Sequence, residues 1–336
     1  MNTQSNISHD QGVVIKKNLG AYQVRVNGTV LTCAISSRLH KELVYSSNNP
    51  NSRNRFVCRV KILDNVDPIA VGDKVRYMDV QDGTGMIVEV LPRHNRLARR
   101  DPAPGTHKFE QVIVANVDYV IPIFAAAQPT PKWGLLDRYL ASAESLGLSA
   151  LIVITKLDLV QGRNGDIIDE EILKMVNEYR RIGYPLLLTS SVTGAGLEEL
   201  RRILKDRTSA FVGKSGVGKT ALLNALEPGL GLRVGAVGQG NIGKGRHTTT
   251  SAEMISLSFG GDIIDNPGVR EFGLHDMEGD DLAGFFREMR PWIGSCKFGL
   301  DCQHDEEPGC AIRKAVMAGK ISPLRYQSYL RLKEEL

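Results

Sequence analysis

A segment reading "GKSGVGKT" at residues 213–220 leaves the chain around it few choices of fold. It satisfies G-x-x-x-x-G-K-S/T in full, with Gly213, Gly218, Lys219 and Thr220 at the fixed positions. A loop of this kind works only between a strand and a helix. Its glycines let backbone N–H groups turn inward onto phosphate oxygens, and the start of the helix adds a favourable dipole for the anion. The apolar run "SAFV" precedes the loop and the helical "TALLNAL" follows it, so the context fits. Gly213, Lys214, Ser215, Gly216, Val217, Gly218, Lys219, Thr220 and Ala221 are expected to line a nucleoside triphosphate. Lys219 would lie across the β- and γ-phosphates, and the Thr220 hydroxyl would hold Mg²⁺.

Elements on both sides of the loop alternate in type. "VIVANVDYVIPIF" and "ALIVITK" read as buried strands with the helical "LLDRYLASAESLG" between them. "DEEILKMVNEYRRIG" reads as a helix ending at Gly183, followed by the strand "YPLLLTS". Such alternation implies a parallel sheet covered by helices on both faces.

"TKLD" at 155–158 resembles the guanine-reading pattern N-K-x-D, with Thr155 in place of Asn. Asp158 would accept two hydrogen bonds from guanine that adenine cannot supply, and Lys156 would lie along the ring face; Leu157 completes the segment. "TSSVTGAG" at 189–196, including Ser190, fits the segment whose backbone meets the guanine oxygen. Standing alone, either segment would pass for an ordinary strand-end turn.

"IIDNPG" gives Asp265 and Gly268 in D-x-x-G form, a Mg²⁺-linked carboxylate and a γ-phosphate contact. "GKGRHTTT" at 243–250 offers a threonine to the same Mg²⁺. Sequence does not separate Thr248, Thr249 and Thr250, and Thr249 is carried forward with Thr220 and Asp265 as the expected magnesium shell. Where many GTPases place a water-orienting Gln after D-x-x-G, this chain has Val269, which predicts slow intrinsic hydrolysis; His247 is the candidate catalytic residue for positioning water. The motif order is unusual, because the base-reading segment precedes the phosphate loop.

The flanks differ in texture. Residues 12 to about 92 hold short β-rich runs punctuated by turns, which suggests a small barrel or sandwich. Arg93, Arg96, Arg99, Arg100 and Lys108 read as a basic linker. Near the other end, Cys296, Cys302, His304 and Cys310 form C-x5-C-x-H-x5-C. Three thiolates and an imidazole suit tetrahedral Zn²⁺ with no open position, a structural site; buried cysteines beside an incidental histidine are the bland alternative. With five cysteines in all, a disulfide scaffold is not expected. No apolar run approaches the length needed to cross a bilayer and the start is polar, so a cytoplasmic protein with no membrane association is expected. A net charge of +4 leans weakly towards acidic partners.

"DPIAVGDKV", "EVLPRHNRLARR", "TKLD", "SGVGKTALLNAL", "GKGRHTTT", "DNPGVREF" and the Cys/His cluster together resemble the circularly permuted, ribosome-dependent bacterial GTPases of the RsgA (YjeQ) family. The match runs over nearly the whole chain in the family's order. Departures are Thr155 for Asn and Asn266 where the family often has Thr. The resemblance implies a multidomain protein: an N-terminal all-β OB-fold barrel that binds RNA with the basic linker (1–105), a central α/β circularly permuted P-loop GTPase domain (106–275) and a C-terminal helical zinc-binding domain (276–336). It implies GTP hydrolysis to GDP and phosphate, stimulated by the small ribosomal subunit and driving release, in late maturation of that subunit. Expected companions are the subunit and its rRNA, GTP and GDP, Mg²⁺ and one structural Zn²⁺, with the chain a monomer. Physically, Arg93, Arg96, Arg99, Arg100, Arg313, Lys314, Lys320, Arg325 and Arg331 could meet phosphates, although any one of them alone is more often a solvated charge. The competing readings are a GTP-switched RNA-binding module, a metal-handling P-loop GTPase unrelated to ribosome assembly, and an ATPase should Thr155 spoil base selection.

Overall fold

The computed structural model describes residues 10–18, 20–37, 39, 41–45, 57–62, 68–80, 82–100, 110–162, 169–232, 252–265 and 279–336. It divides into two compact units, Met1–Asn116 with Thr249–Ile255, and Val117–Thr248 with Ser256–Leu336.

The first unit is all β. Its strands are β1 (Asp10–Asn18), β2 (Ala21–Val26), β3 (Thr29–Ile35), β4 (Lys41–Tyr45), β5 (Val57–Ile62), β6 (Lys74–Asp79), β7 (Thr84–Val90), β8 (Arg96–Arg100) and β9 (Glu110–Ala115). Five of them close on themselves: β1 pairs β2, β2 pairs β3, β3 pairs β7, β7 pairs β6 and β6 returns to β1. All these pairings are antiparallel except β3 with β7. Closure removes the free edges that a five-stranded sheet would otherwise expose. Alternation fills the interior, with Val14, Tyr22, Val24, Cys33, Val75, Tyr77 and Ile87 all buried.

The basic stretch departs from a linker. Arg96–Arg100 is strand β8, paired antiparallel with β9, because Leu97 faces inward and is 2% exposed. Arg93 does not project outward either. Its guanidinium grips the buried Asp73 carboxylate at 2.6 and 2.7 Å and donates to the Pro68 carbonyl at 2.8 Å. The long apolar run from residue 112 also breaks in two. Asn116 sits at φ 58, its amide donating to the Gly72 carbonyl and its carbonyl oxygen accepting from the His94 N–H.

The second unit is α/β. Its elements are β10 (Tyr119–Ala125), α1 (Trp133–Ser145), β11 (Ser149–Ala150), β12 (Ile152–Thr155), α2 (Glu170–Arg181), β13 (Leu186–Leu188), α3 (Leu197–Leu204), β14 (Thr208–Val212) and α4 (Lys219–Leu226). Next in the chain, β15 (Glu253–Ser256) returns to the first unit, where Glu253 lies opposite Lys16 of β1. Then come β16 (Asp262–Asp265), α5 (Ala311–Met317) and α6 (Pro323–Glu334). The parallel order is β13-β12-β10-β14-β16. Strands β10 to β14 are near-continuous apolar runs, as strands covered on both faces must be. Asp169 caps α2 by accepting from the Ile172 N–H at 3.0 Å, and Gly183, at φ +92, ends that turn.

Residues from 279 to the end fold onto α1. Ala141 of α1 packs with Leu282, Phe286, Met289, Ile312, Ile321, Tyr329 and Leu332 in one apolar cluster that also holds the three clustered cysteines. A buried charge network runs through the join. Arg325 of α6, 1% exposed, meets Asp137 of α1 at 2.5 Å and Glu288 at 2.7 Å, while the Tyr179 hydroxyl of α2 donates to the same Asp137 at 2.7 Å. The guanidinium also lies 4.5 Å from the Phe286 ring centre. Removing one member leaves the others desolvated and unpaired, which is where buried ion pairs become costly. Arg325→Met should therefore lower stability by about 3–5 kcal/mol, whereas combining it with Asp137→Asn and Glu288→Gln should restore most of the loss; thermal unfolding of the single and triple variants checks this.

Candidate functional site

Parallel strands put all their carboxyl ends at one edge. Pairing of Ala125 with Thr155, Ile154 with Leu188 and Phe211 with Asp265 brings the ends of β10, β12, β13, β14 and β16 level. In such sheets the ligand crevice lies at this edge, where the strand order changes direction. Here the order reverses at β10 and β14, since the chain runs outward through β12 and β13 before returning to β14. The phosphate-loop segment leaves β14, "TKLD" leaves β12, the Ser190 segment leaves β13 and Asp265 ends β16. Four motifs scattered over 111 positions thus meet along one edge, from Thr155 to Asp265.

The loop between β14 and α4 is shaped by its glycines. A Cβ on Gly213 would come within 2.4 Å of the Ile123 carbonyl oxygen, and Gly218 sits at φ +93. The Lys219 ammonium folds back to the carbonyls of Gly213 and Lys214 at 2.7 and 2.9 Å, the direction in which phosphate oxygens would lie. Lys214 and Ser215 are exposed, Val217 is buried, and Gly216, Thr220 and Ala221 are half-buried. Asp265 is half-buried across the crevice; burial raises its carboxyl above the usual value and Lys219 pulls it back. A carboxylate pushed up in this way is suited to a bound cation.

The "TKLD" segment is tied to the loop between β14 and α4. The Thr155 hydroxyl, 1% exposed, donates to the Val217 carbonyl, with the Phe124 carbonyl at 3.3 Å. Lys156, at φ 57, points its ammonium to the carbonyls of Gly216, at 2.9 Å, and Gln128. Leu157 is buried and its N–H donates to the Thr189 carbonyl at 3.1 Å. Ser190 donates to an Asp158 carboxylate oxygen at 2.5 Å, and its hydroxyl oxygen accepts from the N–H groups of Val192 and Thr193 at 3.2 Å each. The carboxylate is thereby fixed before any ligand arrives. His247, Thr248, Thr249, Thr250 and Gly268 lie outside the described residues. A bond from Thr155 to the neighbouring loop is within reach of sequence reading, but its acceptor and that of Lys156, 62 and 60 positions away, leave no local signal.

The second cluster is Cys296, Cys302, His304 and Cys310, all buried, with their ligand atoms within 4.8 Å of one another. Sγ of Cys296 is 3.9 Å from Sγ of Cys310, and His304 Nδ1 is 3.5 and 3.7 Å from those two sulfurs. A tetrahedral zinc with the usual bond lengths gives edges of about 3.8 Å between sulfurs and about 3.5 Å from sulfur to nitrogen. The cluster could hold such an ion. Burial pushes the Cys302 thiol up to about 12 and raises Cys310. Burial also opposes ionisation of Cys296, but the N–H groups of Ala311 and Ile312 and the neighbouring thiols outweigh it and bring that thiol below its ordinary value. Burial lowers His304, which leaves the imidazole neutral as a ligand must be. Tyr326 and Tyr329 pin the segment by donating to the carbonyls of His304 and Gln303, at 2.7 and 3.1 Å. Arg325, counted among the phosphate-facing cations from sequence, is consumed by the buried network instead. Among the described residues no helix is long and apolar enough to cross a membrane.

A family model described as RsgA GTPase matches residues 90–275. A relative from Gemmatimonas aurantiaca named small ribosomal subunit biogenesis GTPase RsgA is 47% identical over 270 residues, 80% of this chain and 84% of its own length. The like-named protein of Pseudomonas aeruginosa is 42% identical over 273 residues, 81% of this chain and 77% of its own. Among solved structures, YjeQ from Thermotoga maritima aligns with a TM-score of 0.71 at 31% identity, covering 98% of this chain and 99% of that one. YloQ, described as a circularly permuted GTPase, aligns with a TM-score of 0.67 at 28% identity, covering 100% and 97%. With a family model over more than half of the chain and relatives above 40% identity over four fifths of it, the chain belongs to the RsgA GTPase family, a hydrolase acting on GTP.

Proposed function

We propose that this chain binds the small ribosomal subunit in its GTP form, assists late maturation of that subunit, and is released when subunit-stimulated hydrolysis leaves GDP and phosphate. The observation that carries the reading is the convergence of β12, β13, β14 and β16 at one sheet edge. The partner comes from the relatives, whose names assign them to small-subunit biogenesis. In this reading residues 1–105 form the RNA-binding barrel domain, 106–275 the permuted GTPase domain and 276–336 the zinc domain of a cytoplasmic monomer.

At the site, Gly213 to Ala221 hold the phosphates, with Lys219 spanning β and γ and Thr220 joining Thr249 and Asp265 around Mg²⁺. Magnesium, when bound, neutralises charge between the β- and γ-phosphates. Asp158 reads guanine, Ser190 keeps its carboxylate aimed, and Thr155, Lys156 and Leu157 hold the base loop against the phosphate loop. Gly268 contacts the γ-phosphate, and His247 positions water in place of the absent Gln. The Cys/His cluster holds one structural zinc. Its four ligands are at most 8% exposed, which disfavours a role in delivering metal.

Turnover of GTP measured with small subunits, large subunits and naked RNA tests the whole reading: small subunits alone should accelerate it, and acceleration by large subunits alone would overturn it. His247→Ala should lose the accelerated rate with GTP affinity intact. Asp158→Asn replaces an acceptor of two bonds with a mixed donor and acceptor. It should weaken GTP about 100-fold while improving xanthosine triphosphate, read by competition binding. For the cluster, ligation requires thiolates while folding holds Cys302 and Cys310 protonated. Zinc uptake by chelator-treated protein should release at least about two protons per ion near neutral pH, and affinity should rise with pH. An indicator-dye titration measures both.

A further inference from the structure

A cavity of about 540 Å³ opens between the first turn of α1 and α6, and none of the phosphate-loop or Cys/His residues lines it. Its apolar surfaces come from Trp133, Leu135, Leu324 and Leu332. Trp133 is held from behind, its ring centre 6.0 Å from that of Tyr179 and its indole N–H donating to Glu171 at 3.0 Å. The indole is thus an oriented, half-buried plate rather than a free side chain, and a ligand stacking on it incurs little ordering cost.

The charges around this plate are unequal. Three cations, Lys132, Arg138 and Arg331, line the cavity beside two carboxylates, Asp137 and Glu335. Both carboxylates are already satisfied, Asp137 by Arg325 and Glu335 by Arg138. Arg331 bonds only the Gln327 carbonyl and the Ser328 hydroxyl, and Lys132 has no carboxylate partner among the described residues. Gly134 makes room for this arrangement, since a Cβ there would meet the Arg331 guanidinium at 3.3 Å. A flat apolar plate beside two cations that no described carboxylate pairs is complementary to a planar ring carrying phosphate.

We propose that this cavity takes one nucleotide of single-stranded RNA, its base against Trp133 and its phosphates at Lys132 and Arg331. Of the polar groups that could read a base edge, Asp137 is held by Arg325 and the Ser328 hydroxyl oxygen accepts from Arg331 within the cavity, so recognition is by stacking and charge and is tolerant of sequence. Stacking on one plate with two cations holds a free mononucleotide weakly; a chain brings further phosphates and a higher effective concentration. The proposal rests on the ribosomal reading for its biological partner, but its test does not.

Trp133 and Trp292 are the only tryptophans in the chain, so in full-length Trp292→Phe, loaded with GDP, indole fluorescence reports this cavity alone. A short single-stranded oligouridylate should quench it saturably. Lys132→Ala and Arg331→Ala should each shift the midpoint about tenfold and lower the salt slope by about one. Their unstimulated GTP turnover should stay unchanged, which also shows that they fold. The proposal is overturned by an absent quench, by a quench that neither variant weakens, by equal quenching with uridine monophosphate at matched concentration, or by quenching with an acidic peptide alone. Loss of small-subunit stimulation in the unmodified protein would count against the proposed function and leave the RNA quench to be judged separately.

Discussion

Parallel backbone pairing around β14 is the constraint on which the site depends. With β10 on one side and β16 on the other, the strand that feeds the phosphate loop has its carboxyl end between the base-reading strands and the Asp265 strand. No side chain has to create that convergence, because parallel pairing fixes which end of every strand faces the crevice. What side chains add is a set of ties between loops. Thr155 and Lys156 bind the β12 loop to the β14 loop, and Ser190 binds the β13 loop to Asp158. A permuted chain is compatible with this pocket for the same reason. Strand order in space is preserved wherever the chain is opened, and only the connections change.

The attachment of the C-terminal residues bears on how a nucleotide state is transmitted. Arg325 and the cluster containing Ala141 fasten residues from 279 onward to α1, which lies between β10 and β12 in the chain. The Cys/His region is therefore bolted to the half of the sheet that holds β10, β12 and β13. Asp265 belongs to the opposite side of β14. A signal from the γ-phosphate would have to reach the C-terminal region either through the connection after Asp265 or across the sheet. Asp265 itself carries a cost in the absence of a cation: folding raises its pKa, so its contribution favours the fold at low pH and is lost as pH rises through the folded value. If Asp265 takes Mg²⁺ as proposed, a carboxylate placed where burial opposes its charge is the ordinary trade of stability for function.

Much of this was legible from residues. The glycine spacing of the phosphate loop, the apolar strands beside it, the helix capped by Asp169 and the C-x5-C-x-H-x5-C spacing each carry a local signal with one physical solution. Arginines were the least legible residues. Arg93, Arg325 and Arg331 look alike in sequence, yet one grips Asp73, one lies buried between Asp137 and Glu288, and one lines a cavity. Their partners lie 20, 188 and 37 positions away for the first two, and no periodicity encodes such pairings. Strand β8 was missed for a related reason: one inward residue, Leu97, among arginines gives too little alternation to see.

Thr155 shows how far a substitution within a motif can be read from geometry. An Asn at this point could span to the neighbouring loop with its longer amide; a threonine hydroxyl reaches only if the backbones are already close. They are, because the Gly218 position has no side chain and a Cβ there would lie 3.3 Å from the Thr155 hydroxyl. The hydroxyl proton goes mainly to the closer Val217 carbonyl, with that of Phe124 at 3.3 Å a weaker second acceptor. The hydroxyl therefore acts as a brace between loops and not as a reader of the base. The Asp158 carboxylate is oriented by Ser190 independently of residue 155, so in the proposed reading a Thr in place of Asn leaves the physical basis for choosing guanine over adenine in place.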